Sequence, residues 1–440
     1  MIISTARRLD DFMTSDCRCA DGACFKALPI SLPGEILRRR PSDSRVVTPV
    51  HSAYVNCCSF FAYEPVMLLM MRSAVGVSLG YQPALDGLRA VSIVAVLAHH
   101  SSWLPGGYLG VDVFFTLSGF LITALLTEKF ARTGTITLRL FYARRALRLL
   151  PALLILLVVC TASLLATVPA EYGRLVIHEA AAVLFYAANW AWVINLPLGV
   201  FNHTWSLGIE EQFYLLWPCA LLVMLRVLSH RRAFVMMLVL AGTGAAWRHA
   251  LLLAGARFEH LYRGLDAHAD PLLIGCALSL GLTAGLRVPG RSTIAALVGV
   301  CGLAGVLVFS TLPDSYVRHH VSLVTAIAVS LMIANVVSES QSPLTRLLAV
   351  APLVAIGRIS YGVYLWHFPV FYLFGLVTPP GAAATTSWHA TVAACAVTFL
   401  AAAMSYAIIE RPALALKRTL QPLRNVPVSP HGSVPSTVVS

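Results

Sequence analysis

Long apolar runs separated by short polar loops fill most of the chain. Eleven such runs lie between residues 84 and 409. Most are about 20 residues long, the length at which a helix rising 1.5 Å per residue crosses about 30 Å of hydrocarbon. They cover residues 84–103, 108–127, 149–168, 180–196, 207–228, 233–254, 270–285, 292–311, 321–337, 353–375 and 389–409. The pattern predicts an all-α polytopic membrane protein.

The distribution of positive charges among the loops predicts the topology of the chain in the membrane. If the run at 180–196 lies outside or re-enters without crossing, ten helices cross and both termini are cytoplasmic. The cytoplasmic loops then hold sixteen Lys and Arg residues and the outer loops hold four, as the positive-inside rule requires. If all eleven runs crossed, the basic loop at 226–232 would face outside. We therefore expect about ten transmembrane helices, with the N- and C-termini cytoplasmic, in the plasma (inner) membrane.

The composition narrows the class of protein further. Only 12% of the residues are charged and the mean hydropathy is +0.76, whereas a soluble domain has about 25% charged residues. This excludes a soluble enzyme, a disordered protein and a disulfide-stapled secreted domain. A net charge of +12 would indicate a nucleic-acid partner in a soluble protein. Here we assign it to cytoplasmic loops facing anionic lipid, so we expect the bilayer as a partner and no nucleic acid.

The two ends of the chain differ from its apolar middle. Residues 1–66 predict a poorly ordered N-terminal extension, or a mis-assigned start with translation beginning at a methionine near residue 70. Residues 421–440 predict a disordered C-terminal tail. The extension contains Cys17, Cys19 and Cys24, but His and a second Cys pair at zinc-ligand spacing are missing. We therefore predict no metal.

Arg89 and His100 stand out in the first apolar run. They are eleven residues apart, almost three helical turns, so they share one helix face about 16 Å apart along the axis. An ionisable residue within a span costs about 2.5–3.5 kcal/mol on insertion scales and normally faces a cavity or a partner. The alternative is an Arg and a His that reach the two opposite membrane interfaces.

A basic pair lies in the next polar stretch. Arg145 and Arg148 have i, i+3 spacing, which places both guanidinium groups on one helix face, and Arg binds phosphate bidentately. A nucleotide-bearing donor such as coenzyme A would suit this cytoplasmic position. The alternative is a cluster that binds lipid headgroups. Ser118 lies within the preceding span, where helix packing explains it equally well.

Later spans carry further polar groups. Glu210 and Glu211 lie just inside an apolar run, where they could orient a His, stabilise its charged form or accept a proton. The alternative is that they cap the start of the helix. Asp270, which precedes Pro271, is explained equally well as an N-cap. His367 is a second histidine within a span.

Five segments of the chain occur together in a specific order. They are Arg89-x10-His100, Gly110-Val-Asp-Val-Phe-Phe-x-Leu-Ser-Gly-Phe-Leu-Ile122, Arg145-x-x-Arg148, His203-Thr-Trp-Ser-Leu-x-x-Glu-Glu-Gln-Phe-Tyr214 and Ile359-Ser-Tyr-Gly-x-Tyr-Leu-Trp-His367. Over residues 81–412 the chain thus resembles the acyltransferase-3 family of bacterial integral membrane O-acyltransferases. The resemblance implies a ten-span acyltransferase domain that uses cytoplasmic acyl-CoA, often acetyl-CoA, to modify hydroxyls of sugars on surface glycans.

The resemblance also implies roles for individual residues. Arg89 and His100 match the pair expected to be essential, Arg145 and Arg148 match donor-binding residues, and an outer motif contains Trp205, Ser206 and Glu211. His268 departs from the pattern, because the family often has Arg there. Some relatives carry a C-terminal esterase-like domain, and the segment after Pro412 is too short for one.

These observations predict a transferase of groups other than amino-acyl groups. It would move an acyl group, acetyl in the first instance, from acyl-CoA to a sugar hydroxyl of a cell-surface glycan or a glycosylated small molecule. The predicted site residues are His100, Glu210 and Glu211 for catalysis, Arg89, Arg145, Arg148 and Ser118 for acyl-CoA, and Trp205, Ser206, Asp270 and His367 on the acceptor side. The rival interpretation is a transporter or flippase for a glycan precursor, which thioester turnover would distinguish.

Overall fold

The structure is a computed structural model that describes residues 19–20, 23–24, 80–286, 293–309, 315–378 and 384–419. Contacts divide the chain into two units, Met1–Glu64 and Pro65–Ser440. In the first unit, two-residue strands β1 (Cys19–Ala20) and β2 (Ala23–Cys24) pair antiparallel. Otherwise the predicted N-terminal extension, and the whole of the predicted C-terminal tail, lie outside the described residues.

The second unit, where it is described, is built from helices. Its α-helices are α1 Pro83–His100, α2 Gly110–Thr133, α3 Leu138–Thr167, α4 Gly173–Leu184, α5 Ala188–Val193, α6 Trp205–Val227, α7 His230–Leu253, α8 Phe258–Arg263, α9 Leu265–His268, α10 Asp270–Thr283, α11 Thr293–Phe309, α12 Ser315–Ser338, α13 Pro343–Leu348, α14 Ala351–Arg358, α15 Ser360–Leu373, α16 Trp388–Ser405 and α17 Arg411–Thr419. Short 3-10 turns cover Pro105–Leu109, Ala170–Tyr172 and Gly199–Thr204, and a π-helical turn covers Tyr406–Glu410.

Several of these helices have the length and composition of membrane spans. Among the described residues, six are long and apolar enough to cross a bilayer: Pro105–Thr133, Leu138–Thr167, Gly199–Val227, His230–Leu253, His320–Ser338 and Trp388–Leu416. Two shorter apolar helices are Asp270–Thr283 and Ile294–Val308. The chain is therefore a helical membrane protein, while the count of ten spans and the cytoplasmic termini stay predictions.

Large apolar side chains on the outer surface of the long helices agree with this assignment. Val158 on α3 is 67% exposed and Leu216 on α6 is 63% exposed. Leu400 on α16 is 61% exposed. A water-soluble protein rarely exposes a continuous apolar surface of this kind, whereas lipid tails solvate it.

The apolar run at 180–196 is not one helix. α4 and α5 are separated by a turn in which Tyr186 adopts a left-handed φ of 54°. The amide of Gln212 donates to the Tyr186 carbonyl at 2.7 Å and to Asn189 Oδ1 at 2.9 Å. Main-chain groups freed by a helix break must be paired where water is absent, and Gln212 supplies that pairing from α6.

Two glycines bring α2 and α10 into backbone contact. A Cβ on Gly119 would lie 2.0 Å from the Leu272 carbonyl oxygen, and a Cβ on Gly275 would lie 2.1 Å from the Thr116 carbonyl oxygen. Neither position can accept a side chain without separating the helices. This contact fixes α2, which carries polar residues of the site described next, against α10.

Candidate active site

A cavity of about 570 Å³ lies between α2, α3, α6 and the α14–α15 segment. Its wall contains six basic side chains: Arg89, Lys129, Arg144, Arg145, Arg148 and Arg358. Its other polar lining comes from Ser118, Tyr186, Ser206, Glu210, Glu211, Tyr214, Ser360, Tyr361 and Tyr364. With two carboxylates against six cations, the cavity carries an excess of positive charge.

Arg145 and Glu211 form the shortest ion pair among the described residues of this wall. Arg145 Nη2 lies 2.6 Å from Glu211 Oε1, and its Nε lies 3.1 Å from both carboxylate oxygens. The Arg145 guanidinium also lies 3.2 Å from the centre of the Tyr214 ring. Charge-assisted, multiply bonded pairs of this type fix the orientation of both side chains. Arg145 is therefore held by α6 and is less available to a ligand than its position alone suggests.

Glu210 has different partners from its neighbour. Its Oε1 accepts from Ser118 Oγ at 2.6 Å and from Tyr214 Oη at 2.8 Å, and it lies 3.7 Å from Arg145 Nη2. The structure thus gives both predicted carboxylates a place in the cavity wall. Among the described contacts, neither carboxylate hydrogen-bonds His100.

Arg148 and Arg89 supply the remaining charge of the predicted donor site. Arg148 forms no ion pair with any carboxylate of the described residues, whereas Arg89 pairs with Asp86 at 3.1 Å. Arg148 therefore presents to the cavity a guanidinium that has no carboxylate within ion-pair distance among the described residues. Such a group suits a phosphate ligand, because the Arg fork matches phosphate oxygens.

His100, His203 and His367 lie together at one side of this cavity, in what we term the histidine chamber. The centre of the His367 ring lies 5.2 Å from that of His100 and 5.1 Å from that of His203. Phe368 packs against His100 and stacks on His203, at 5.2 Å in each case. His203 and His367 are buried and His100 is half-buried.

A hydrogen-bonded pair of hydroxyls separates the chamber from the cavity. Ser206 Oγ lies 2.5 Å from Tyr364 Oη, and Tyr364 Oη donates to the His203 carbonyl at 2.8 Å. Both hydroxyl residues line the cavity. The chamber and the cavity are therefore neighbouring compartments that share one polar boundary.

A second buried polar group, which we term the Arg248–His268 cluster, consists of Asp112, Arg248, His268 and Asp270. Arg248 pairs with Asp270 through contacts of 2.7 and 3.0 Å and donates to the Ala267 carbonyl. His268 Nε2 lies 2.7 Å from Asp112 Oδ1, and its Nδ1 contacts the Tyr262 carbonyl. Arg248 and Asp270 are 2% and 1% exposed. Only Asp112 Oδ2 and Arg248 Nε in this cluster lack a described partner.

The structure thus separates the predicted site residues into three places. Arg89, Ser118, Arg145, Arg148, Ser206, Glu210 and Glu211 line the cavity, and His100 and His367 belong to the histidine chamber. Asp270 lies in the Arg248–His268 cluster, and Trp205 packs on Tyr262 and His268. Neither Asp270 nor Trp205 lines the cavity.

Sequence reasoning left out several residues that the structure brings to these compartments. His203 and Tyr364 lie inside two of the motifs, but no spacing or charge pattern distinguished them from the neighbouring motif residues. Tyr214 lies one helical turn after Glu210, the spacing at which side chains on one face meet. Lys129 and Arg144 carried only a topological signal, that of a positive loop charge, and Arg358 directly precedes the Ile359–His367 motif.

Comparison with known proteins shows the family of the chain. The family model described as an acyltransferase domain, Acyl_transf_3, matches residues 82–407. The chain belongs to the acyltransferase-3 family. It is 34% identical over 366 residues to the peptidoglycan O-acetyltransferase OatA of Listeria monocytogenes, covering 78% of this chain and 57% of that protein. No solved structure matches the chain.

Two other relatives give the same picture. The chain is 32% identical over 349 residues to the O-acetyltransferase OatA of Staphylococcus aureus (strain NCTC 8325 / PS 47), covering 76% of this chain and 57% of that protein. It is 34% identical over 354 residues to the putative peptidoglycan O-acetyltransferase YrhL of Bacillus subtilis (strain 168), covering 76% of this chain and 55% of that protein. The chain therefore matches somewhat more than half the length of these relatives. Within its described part, no three His, Cys, Asp or Glu side chains are grouped as metal ligands.

Proposed function

We propose that the protein is a membrane O-acyltransferase that moves an acetyl group from acetyl-CoA to a hydroxyl of a sugar in a cell-envelope glycan, with peptidoglycan as the first acceptor to test. The relatives named as peptidoglycan O-acetyltransferases support the acceptor class. The observation that carries the proposal is a cavity in which a wall rich in basic side chains meets the hydroxyls that border the histidine chamber.

The basic wall fits the phosphates of acyl-CoA. Arg148 has no described carboxylate partner, and Arg89, Lys129, Arg144 and Arg358 line the same cavity. Phosphate oxygens bound there would compensate the excess positive charge at little cost in reorganisation. We place the donor's phosphates on the predicted cytoplasmic side of the cavity, with the thioester directed towards Ser206.

The two carboxylates then organise the donor cavity. Glu211 holds Arg145 in an ion pair, and Glu210 accepts hydrogen bonds from the hydroxyls of Ser118 and Tyr214. Removing either carboxylate would leave a buried partner unsatisfied, which costs more than the bond itself contributes. This role replaces the direct contact with an imidazolium that we expected from the sequence.

His100 is the proposed general base. It faces His367 and Phe368, whereas its neighbour His99 bonds to the Pro105 carbonyl at 2.8 Å and packs against Tyr108. Deprotonating the acceptor hydroxyl as it attacks the thioester carbonyl is worth about 10²–10⁴ in rate for a positioned base. The proton ends on the sulfur of coenzyme A as the C–S bond breaks.

The test uses the full chain in lipid nanodiscs, with acetyl-CoA and peptidoglycan fragments. Coenzyme A release and mass spectrometry of the fragments measure transfer. We expect acetylated fragments from the wild type, a loss of at least about 10²-fold in kcat for His100→Gln, and wild-type kcat for His99→Asn. For Arg148→Ala we expect mainly a raised KM for acetyl-CoA. A wild type that binds and moves labelled glycan across proteoliposomes without consuming acetyl-CoA would establish the transporter instead.

A further inference from the structure

Within the described residues, each imidazole of the histidine chamber has one or two ring nitrogens without a hydrogen-bond partner. His203 Nε2 lies 3.1 Å from the Leu365 carbonyl oxygen, and His367 Nδ1 lies 2.6 Å from the Tyr364 carbonyl oxygen. The other nitrogens of these two rings, His203 Nδ1 and His367 Nε2, are buried and have no partner in the part of the chain that the structure describes. His203 is 3% exposed and His367 is fully buried.

The carbonyl contacts decide which nitrogen of each ring carries the proton. A carbonyl oxygen only accepts, so His203 Nε2 and His367 Nδ1 are the N–H nitrogens of neutral rings. The two orphan nitrogens are therefore both lone-pair acceptors, that is, bases. A buried acceptor left unpaired costs about 1–3 kcal/mol, and two of them beside a reactive histidine suggest a group that donates to them.

The source of the His203 contact lies in the sequence of α15. In a regular helix the Leu365 carbonyl would accept from the backbone N–H of residue 369, which is Pro369 and has none. The free carbonyl accepts from His203 instead. One proline thus fixes the protonated nitrogen of an imidazole on another segment of the chain.

The spacing of the rings suits one oxygen atom between them. A hydroxyl carries a single proton, so it donates to one ring, and the basic nitrogens of the neighbouring rings can accept from that ring once it is protonated. The ring centres lie 5.1–5.2 Å apart, so an oxygen that hydrogen-bonds to one ring from the side also lies near the next ring. Because His100 is the least buried of the three residues, we place the entry of the acceptor beside it.

We propose that His203 and His367 are further catalytic residues, which together with His100 form a three-imidazole site for the acceptor hydroxyl. The hydroxyl binds among the three rings and gives its proton to His100, and the fixed basic nitrogens of His203 and His367 accept from the imidazolium that results. When its oxygen attacks, the O–H and C–S bonds break and a C–O bond forms. The imidazoles hold the proton in the interval and return it to the sulfur of coenzyme A. This inference rests on the proposed function.

The test removes each basic nitrogen and keeps each carbonyl contact. His203→Gln places an amide N–H where Nε2 donates to Leu365, and His367→Asn places one where Nδ1 donates to Tyr364. We expect each to lower kcat by about 10²-fold or more. The KM for acetyl-CoA should stay at its wild-type value, because the donor cavity is unchanged. His99→Asn is the matched control: the His99 ring lies 5.1 Å from that of His100, but its hydrogen bond is to the Pro105 carbonyl, and asparagine keeps that bond.

Two further readouts separate catalysis from a merely structural role. If the three rings act as a unit, the double variant should be no slower than the slower single variant, since residues of one catalytic unit are not additive. The plot of log kcat against pH should also lose the inflection that the imidazoles give to the wild type. Thermal unfolding and acetyl-CoA binding confirm that the variants are folded.

Three results would overturn the inference. One is kcat within threefold of wild type for both single variants while His100→Gln is inactive. Another is a double variant whose loss is the product of the two single losses. The third is an unchanged pH profile. A wild type that acetylates no fragment would instead refute the proposed function, and the inference would fail with it.

Discussion

The histidine chamber and the Arg248–His268 cluster are both buried and both built around histidine, yet they are completed differently. In the cluster, Arg248 pairs with Asp270, and both nitrogens of His268 face an oxygen acceptor. In the chamber, no carboxylate contacts a ring among the described residues, and two basic nitrogens have no partner. The cluster still leaves Asp112 Oδ2 and Arg248 Nε without a described partner, but each of its carboxylates contacts a basic side chain. The chamber leaves two basic nitrogens unpaired and has no contact of that kind among the described residues.

The difference indicates where stability and chemistry reside. Charges that compensate one another in a low-dielectric interior are costly to separate. Neutral rings with unused lone pairs lower stability slightly and can accept a proton at once. We therefore expect substitutions in the cluster to change the free energy of unfolding, and substitutions in the chamber to change the reaction rate.

The largest effect on stability should come from Arg248→Met. It leaves the Asp270 carboxylate buried without its cation, which costs about 3–5 kcal/mol when one partner of a buried pair is removed. Denaturant unfolding in micelles measures the change. Arg257→Met is the control, because Arg257 is 52% exposed and its surface pair should contribute less than about 1 kcal/mol. Equal unfolding midpoints for the two variants would contradict the comparison.

Removing both charges of the Arg248–Asp270 pair tests whether the loss in Arg248→Met comes from the unpaired carboxylate. In Arg248→Met combined with Asp270→Leu no charge is left unpaired, and replacing a whole buried pair by apolar side chains is often close to neutral. We expect the double variant to recover most of the stability that Arg248→Met loses. If instead the stability lost in the double variant equals the sum of the losses in Arg248→Met and in Asp270→Leu alone, each residue stabilises the fold through separate contacts.

A smaller loss should result from His268→Leu. This change leaves the Asp112 carboxylate without its described partner in the same buried region, at a cost of about 2–3 kcal/mol. His260→Leu provides the comparison, since His260 pairs with Asp266 near the surface and should change stability by about 0.5 kcal/mol or less. Thermal unfolding of both variants in the same detergent tests the difference, and similar melting temperatures would argue against it.

The smallest effect on stability should come from His367→Leu. Leucine loses the bond to the Tyr364 carbonyl, but it also removes the buried nitrogen that has no described partner. Because these terms oppose each other, we expect a change within about 1 kcal/mol, together with loss of acetyl transfer. A destabilisation as large as that of Arg248→Met would show that the chamber is as much a structural contact as the cluster.

The helical character of the chain and the polar residues within its apolar part could be predicted because both depend on local pattern. The run at 353–375, predicted as one span, is divided into α14 and α15, and six of the described helices have the length and composition of spans. Apolar runs reveal spans through their length, and the eleven-residue spacing of Arg89 and His100 follows from the helical repeat. The family resemblance is confirmed by the match over residues 82–407. The broken run at 180–196 agrees with its exclusion from the predicted spans, although the total number of spans stays a prediction.

The contacts between those residues could not be predicted in the same way. Sequence reasoning put Arg145 on the cytoplasmic side and Glu211 near the outer end of a span, yet their side chains form an ion pair at 2.6 Å. Ser118 and Glu210, 92 residues apart, share a hydrogen bond. Asp270 was expected to contact the acceptor, but Arg248, which no motif contained, is its partner. Long-range pairing depends on how helices pack, and no local spacing encodes it.

A substitution of Pro369 would act on a histidine that belongs to another segment of the chain. Any other residue at that position would supply a backbone N–H to the Leu365 carbonyl and so compete with His203 for it. The helix would become more regular while the imidazole lost its fixed protonation pattern. If His203 acts as proposed, we expect inactivating alleles at a residue whose own side chain has no reactive group, in a protein that folds at least as well as its parent.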